Sequence, residues 1–378
     1  MPTNSAAYLT APYSDLTVAE APYTSAAAGE LVVRARAVAV NPLDEIKQST
    51  GNVMYGWLPS PAVLGEDVAG EVVEVGAGVS GFTVGDRVIA YAVGMEKNRN
   101  HAAEGAFQLF SVVQAQLTAR IPDELSFESA VVLPLAISTA ASALFQSDQL
   151  GLRHPTNGAV AALAGADADA AEWVVVWGGS TSVGSNAVQL AVAAGYSVIA
   201  TASPHNHDRM RELGARHVVD YRSGSAVRDV VALVDGRPVA GVFAVGTGSA
   251  EPALSIAVAT GARRVSLASP SVSMSSLPRR RAPLATAGFG LRMLSRTVPL
   301  MASSRLRGIR TRFVWGSSLM TNEVGPMLWG RFLPEALAEG RYMTAPRSEV
   351  VGTGLESIQP ALDALRAGAS ATKFVVTL

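Results

Sequence analysis

The residues best suited to chemistry form one short segment, Gly178-Gly179-Ser180-Thr181-Ser182-Val183-Gly184. It follows Trp173–Trp177, a continuous apolar run, and precedes Ser185–Ala194, which reads as a helix. A glycine turn between a buried strand and a helix aims backbone N–H groups and the positive helix end at an anion. The context therefore predicts a dinucleotide pyrophosphate site. Thr181 takes the place of the central glycine in a G-x-x-G-x-x-G spacing, and a side chain there limits close backbone approach. The hydroxyls of Ser180, Thr181 and Ser182 are expected to offset this by donating to phosphate oxygens.

The next strand, Ser197–Thr201, bears on which dinucleotide binds. An NAD site places Asp or Glu about 20 residues after the turn, to accept from the ribose 2′-hydroxyl. Here the strand runs into Ala202-Ser203-Pro204-His205-Asn206, with no carboxylate. A 2′-phosphate would meet donors instead, from Ser203, His205 and Asn206, with Arg209 one turn further and Tyr221 after the following strand. NADPH is the cofactor this pattern predicts. Ser and Asn before a helix are also ordinary caps, and the two roles can coexist.

The chain has no cysteine, which excludes disulfides and thiolate metal sites. Of the five histidines, only His205 and His207 are close, and their i,i+2 spacing is not that of a helical zinc site. No zinc is expected. A net charge of -1 leaves no global field for nucleic acid or an anionic membrane. Met1-Pro2-Thr3-Asn4 lacks the basic and apolar regions of a signal peptide, so a cytoplasmic protein is expected.

The elements that must position these residues fall into two textures. Glu30–Val40, Val68–Val75 and Arg87–Val93 read as short strands between glycine turns, a small β-barrel. Ser126–Phe145 has helical periodicity interrupted at Pro134, and Gly151–Ala171 is a Gly/Ala/Asp stretch read as an exposed connection or poorly ordered insert. From Trp173 strands and helices alternate: Ser197–Thr201, Asn206–Leu213, His217–Asp220, Val239–Val245 and Arg264–Ala268. That alternation predicts a doubly wound nucleotide-binding domain. A helix at Ser357–Ala367 and a strand at Phe374–Leu378 return to the barrel. The expected division is 1–135 barrel, 136–320 nucleotide domain and 321–378 barrel again.

Gly178–Gly184, Ala194-Gly195-Tyr196, Ser203-Pro204-His205-Asn206 and Leu213-Gly214-Ala215 through Asp220-Tyr221 resemble the medium-chain dehydrogenase/reductase superfamily. So do Asn41-Pro42-Leu43-Asp44, Leu64-Gly65-Glu66-Asp67-Val68-Ala69-Gly70, Gly85-Asp86-Arg87-Val88, Gly105-Ala106-Phe107 and Lys373–Leu378. Within it they resemble the zinc-independent quinone-oxidoreductase-like branch and the trans-acting enoyl reductases of fungal polyketide synthases. The resemblance implies an α/β protein, a GroES-like β-barrel domain plus a doubly wound Rossmann domain, with the nicotinamide in the cleft between them. It implies that Ser180–Val183, Ser203–Asn206 and Tyr221 contact NADPH, with Asp44, Gly178, Gly179, Gly184 and Leu267 as further cofactor positions and Thr139 at the cofactor–substrate boundary. Zinc-dependent relatives carry a cysteine near Asn41–Asp44 and a histidine after Gly65; here Glu66 holds the histidine's place. Family members usually have a lysine two residues after the aspartate, where this chain has Ile46. Lys47, one place later, either reaches the cleft or lies on the surface.

The reaction this implies is hydride transfer to the β-carbon of a carbonyl-conjugated alkene, with a proton delivered to the α-carbon by Tyr55, Lys47 or water. Three functions remain open from the residues. They are an enoyl reductase in natural-product biosynthesis, a quinone, enone or imine reductase on free small molecules, and a non-catalytic NADPH-binding protein. The substrate is small or carrier-protein-bound, and the protein a monomer or homodimer. Between Pro252 and Asn322 there is no Asp or Glu but many arginines, Arg279–Arg281 among them. The segment reads either as a solvated basic helix or as a docking face for an acidic carrier protein.

Overall fold

The computed structural model describes residues 2–99, 101–156 and 171–378; most of the low-complexity stretch Gly151–Ala171 lies outside them. The strands in chain order begin with β1 (Asn4–Leu9), β2 (Leu16–Ala21), β3 (Glu30–Ala39), β4 (Ala62–Val63), β5 (Asp67–Val75), β6 (Arg87–Tyr91), β7 (Phe110–Gln114) and β8 (Thr118–Arg120). There follow β9 (Trp173–Trp177), β10 (Ser197–Thr201), β11 (His217–Val219), β12 (Val239–Ala244), β13 (Arg264–Leu267), β14 (Arg310–Phe313), β15 (Arg347–Thr353) and β16 (Thr372–Thr377). The principal helices are α1 (Pro42–Thr50), α2 (Pro134–Phe145), α3 (Ser182–Ala193), α4 (His207–Glu212), α5 (Ala226–Val234), α6 (Ala250–Thr260), α7 (Pro283–Leu306) and α8 (Ile358–Ala367).

The chain divides into two compact units. The first is Met1–Leu135, Met274–Thr286 and Leu328–Leu378; the second is Ala136–Ser273 and Ala287–Met327. In the first, a mostly antiparallel sheet runs β15-β16-β3-β5-β6-β8, and β2-β1-β4 forms a smaller sheet. β3 is long enough to serve two partners along one edge, β7 over Glu30–Arg34 and β16 over Ala37–Ala39, while β5 takes the other edge. Register shifts at Val32/Val33 and Ala35/Ala37 bend it as a barrel requires. The segment Met274–Thr286 is tied into this unit by Arg279, which donates to Tyr13 O at 3.1 Å and pairs with Asp15 (2.5 Å) and Asp363 (3.7 Å). Of Arg279–Arg281, Arg279 is thus an internal tie of this unit.

In the second unit the sheet order is β11-β10-β9-β12-β13-β14, all parallel. That is a doubly wound arrangement whose strand order reverses between β9 and β12. β9 and β10 are buried along their whole length, which explains their unbroken apolar sequence. Pro134 starts α2 rather than interrupting a longer helix. Proline is well placed in a first turn, where its missing N–H has no partner to lose. The preceding turn, Phe127–Ala130, is closed separately by Ser126, whose hydroxyl accepts from Ser129 N at 3.2 Å.

Candidate functional site

In the second unit the glycine turn sits at the carboxyl end of β9, beside the reversal of strand order, where open α/β sheets bind ligands. Gly178 has φ +87, and a Cβ there would stand 2.3 Å from Val245 O. On Gly184 a Cβ would stand 2.1 Å from Gly178 O, so the start of α3 packs directly on the turn. Thr201, at the end of β10, fastens the turn: its hydroxyl accepts from Gly178 N (2.9 Å) and its carbonyl from Gly179 N (2.8 Å). Thr181 is the N-cap of α3. Its hydroxyl accepts from Gly184 N at 3.0 Å and donates its proton to Gly178 O at 2.8 Å. The Thr181 proton thus closes the turn. Ser180, Ser182 and Val183 are half-buried beside it, and the amides of Ser182 and Val183 belong to the first helical turn, which has no intrahelical acceptor.

After β10, Ser203 and Asn206 are buried and His205 is exposed. Neither Ser203 nor Asn206 makes a side-chain capping bond. Ser203 instead hydrogen-bonds the phenol of Tyr221, and that bond, followed by Arg222, draws the Tyr221 phenol below its usual range. Arg222 Nε lies 3.3 Å from the Tyr221 hydroxyl and its guanidinium 5.5 Å from the ring centre. Ser203 and Tyr221 are thus brought together, with Arg222 as a cation that sequence reading passed over. Arg209 pairs instead with Glu212 at 3.0 Å. A second glycine turn follows β12, with Gly246 at φ +97 and Gly248 at φ +80 and open space at both Cβ positions; Gly246 N donates to Ser269 Oγ at 2.8 Å. Its Gly-Thr-Gly sequence after a strand was the available signal. Leu267 packs its side chain in the apolar core, and its carbonyl accepts from Val314 N at 2.9 Å. Thr139, half-buried on α2, lies against Gly316, where a Cβ would come within 2.4 Å of its hydroxyl.

In the first unit Asn41-Pro42 starts α1 with a reciprocal cap. Asp44 accepts from Asn41 N at 2.8 Å and from Gly65 N at 3.0 Å. Fully buried, Asp44 has its carboxyl raised to about 7, chiefly by desolvation, with the two amides opposing and Asp67 adding to the rise. Both of its oxygens are engaged in joining α1 to the Gly65 turn. Asp67 holds the same corner together, bound by Asn41 Nδ2 (2.6 Å), Leu135 N (2.7 Å) and Lys373 Nζ (2.5 Å). Lys47 is not on the surface. Buried, it spends its three donors on Gly51 O (3.2 Å), Asn52 Oδ1 (3.3 Å) and Tyr55 O (3.1 Å), and desolvation pushes its ammonium down.

The turn Lys47 holds presents Tyr55, buried, at φ +54, and edge-on to Trp57 at 5.3 Å. Burial, then Glu66, Glu96 and Asp44, push the Tyr55 phenol up, so it holds its proton firmly and is a hydrogen-bond donor rather than an acid. Glu66 is fully buried. Its Oε1 faces the Tyr91 hydroxyl at 3.4 Å, and its Oε2 has no hydrogen-bond partner among the described residues. Burial and the neighbouring carboxylates Asp44, Glu96 and Asp67 raise it well above the carboxylate range, only partly offset by Lys373.

The family described as "Alcohol dehydrogenase GroES-like domain" matches residues 27–123, and that described as "Zinc-binding dehydrogenase" matches 182–286. The chain is 46% identical to "Dehydrogenase pigH" of Monascus ruber, over all of both chains. It is 34% identical to "Trans-enoyl reductase himH" of Aspergillus japonicus, over 92% of this chain and 90% of that protein. Among solved structures, an alcohol dehydrogenase superfamily protein from Novosphingobium aromaticivorans superposes with a TM-score of 0.71 at 25% identity, covering 100% of each chain. The residues present do not suit the zinc of the second family's description. There is no cysteine, and among the described residues no three His, Asp or Glu side chains converge as a metal site.

Proposed function

The chain belongs to the medium-chain dehydrogenase/reductase superfamily of oxidoreductases, and on that premise we propose that it is a zinc-independent, NADPH-dependent enoyl reductase acting on an α,β-unsaturated thioester. The Ser203–Tyr221–Arg222 cluster carries the NADPH part of this reading. A 2′-phosphate beside β10 would meet a hydroxyl, a phenol and a guanidinium where an NAD site would hold a carboxylate. The enoyl part is supported by the himH relative.

The residues suit the cofactor because Gly178 and Gly184 leave the space a Cβ would fill, and the amides of Ser182 and Val183 point out of the helix end. NADPH would supply hydride to the β-carbon, leaving the α-carbon to take a proton. In the Rossmann unit, Thr201 and Thr181 hold the phosphate turn rigid before any ligand arrives. Donors already in place gain more from binding than donors that must first be ordered. In the barrel unit, Lys47 fixes the turn that carries Tyr55. Tyr55 is a neutral donor suited to a carbonyl oxygen that gains charge.

The test is a titration of NADPH and NADH against the wild type and Arg222→Ala, followed by cofactor oxidation with enoyl thioesters, enones, quinones and imines. A hydrogen bond to a charged group contributes about 1.5–3 kcal/mol. Arg222→Ala should therefore weaken NADPH binding roughly ten- to a hundred-fold and leave NADH nearly unchanged. An equal loss for both cofactors would remove the 2′-phosphate assignment, and faster turnover of quinones than of enoyl thioesters would remove the enoyl one.

A further inference from the structure

The one long helix the site does not use is α7. Its face Leu284, Ala287, Leu291, Leu294 and Val298 recurs at a/d spacing, the pattern of a seam that packs on another helix. These side chains are turned to solvent: Leu284 is 91% exposed, Leu291 70%, Leu294 60% and Val298 59%. The opposite side supplies Phe289 and Leu300, which are buried. Gly288, Gly290, Ser295 and Thr297 flank the seam. The two glycines have nothing within 4 Å of an added Cβ, so internal packing does not require them. A helical glycine costs about 1 kcal/mol relative to alanine, and here it leaves room for a partner's backbone to approach.

Charge selects the partner. Residues 252–322 hold eleven arginines and no acid; Arg279 and Arg312 are paired with carboxylates elsewhere, and three of the eleven lie on α7. The arginines on α7 itself are Arg292, Arg296 and Arg305; Arg292 turns back to Gly288 O at 3.4 Å, and among the described residues none of the three pairs with a carboxylate. Two copies of this face would oppose like charges, so a second copy is disfavoured. We propose that the exposed face of α7 docks an acidic, helical carrier domain, which presents the unsaturated thioester to the enzyme. This rests on the enoyl-reductase reading above and specifies its substrate as carrier-bound.

The experiment uses the full chain and a fluorescently labelled holo acyl-carrier domain from a fungal polyketide synthase. Binding is read by anisotropy at two salt concentrations, without turnover. Leu291→Ser/Leu294→Ser and Arg292→Glu/Arg296→Glu change only exposed positions, and circular dichroism checks their fold. Wild type should bind and lose affinity with salt, and each variant should bind at least tenfold more weakly. KM for the carrier-bound enoyl substrate should rise about tenfold, with the same enoyl group on free pantetheine reduced as before. The proposal is overturned if the carrier domain does not bind, or binds the variants equally. It is also overturned if wild type is a dimer that the variants dissolve, or if anionic vesicles capture wild type through these residues. Failure to reduce even the free thioester would count against the reaction assigned above, while the anisotropy arm still decides the docking face.

Discussion

Exchanging Glu66 for glutamine should change how stability depends on pH more than it changes stability itself. The native carboxyl is fully buried, has no partner at Oε2 among the described residues, and is raised well above 4.5 by desolvation and by Asp44, Glu96 and Asp67. The unfolded chain ionises near the ordinary value, so folding takes up a proton wherever the unfolded group is charged and the native one is not. Stability from this group is then complete below the unfolded pKa and lost as pH rises, at about 1.4 kcal/mol per unit. Glutamine has nearly the same shape and no proton to lose. Urea unfolding of wild type and Glu66→Gln, between about pH 5 and pH 8, gives two curves whose difference reports this carboxyl together with its coupling to Asp44. The variant should gain on wild type by about 1.4 kcal/mol per unit until the native carboxyl itself ionises. A difference independent of pH would mean that Glu66 titrates normally, and the buried-acid account would fail.

Thr181→Val should cost about 1–2 kcal/mol of stability through the lost cap and also weaken NADPH binding, whereas Thr181→Ser should keep both; thermal melts with and without NADPH check this. In Gly184→Ala the new methyl would stand 2.1 Å from Gly178 O, so dinucleotide affinity should fall by orders of magnitude, as isothermal titration would report. Lys47→Met leaves the buried carbonyls of Gly51 and Tyr55 without their donor, at about 1–3 kcal/mol each. It should lower Tm and kcat together while leaving the shape of the kcat/KM pH profile unchanged; loss of one limb of that profile would return Lys47 to a direct role in proton transfer.

The Rossmann unit could be read from sequence because strands buried on both faces, such as Trp173–Trp177 and Ser197–Thr201, are unbroken apolar runs ended by glycine or hydroxyl residues. That Ser203 and Tyr221 follow neighbouring strands was legible for the same reason. Less was legible where one side chain has two plausible duties. Thr181 resembles a phosphate donor and is a helix cap. Arg209 stands one turn along but has Glu212 at i,i+3, a pairing visible in the sequence, while Arg222 needed the fold to bring β11 beside β10. The buried settings of Asp44 and Lys47 were not legible because α1 was not recognised, although Asn41, Pro42 and Gly51 mark its ends. Nothing local announces that Lys373 is the cation beside Asp67, 306 positions earlier.

That last pairing sets an order of assembly. β16 lies between β15 and β3, so β15 cannot join the barrel sheet, and part of one edge of β3 stays unpaired, until Thr372–Thr377 have left the ribosome. The Rossmann unit ends at Met327 and has every strand of its sheet well before then. During synthesis the nucleotide unit can close first, while β3 waits with part of an edge open and Asp67 without its ammonium. A chain released a few residues early would carry a finished cofactor fold beside an unsealed barrel, exposing the strand edge on which aggregation begins.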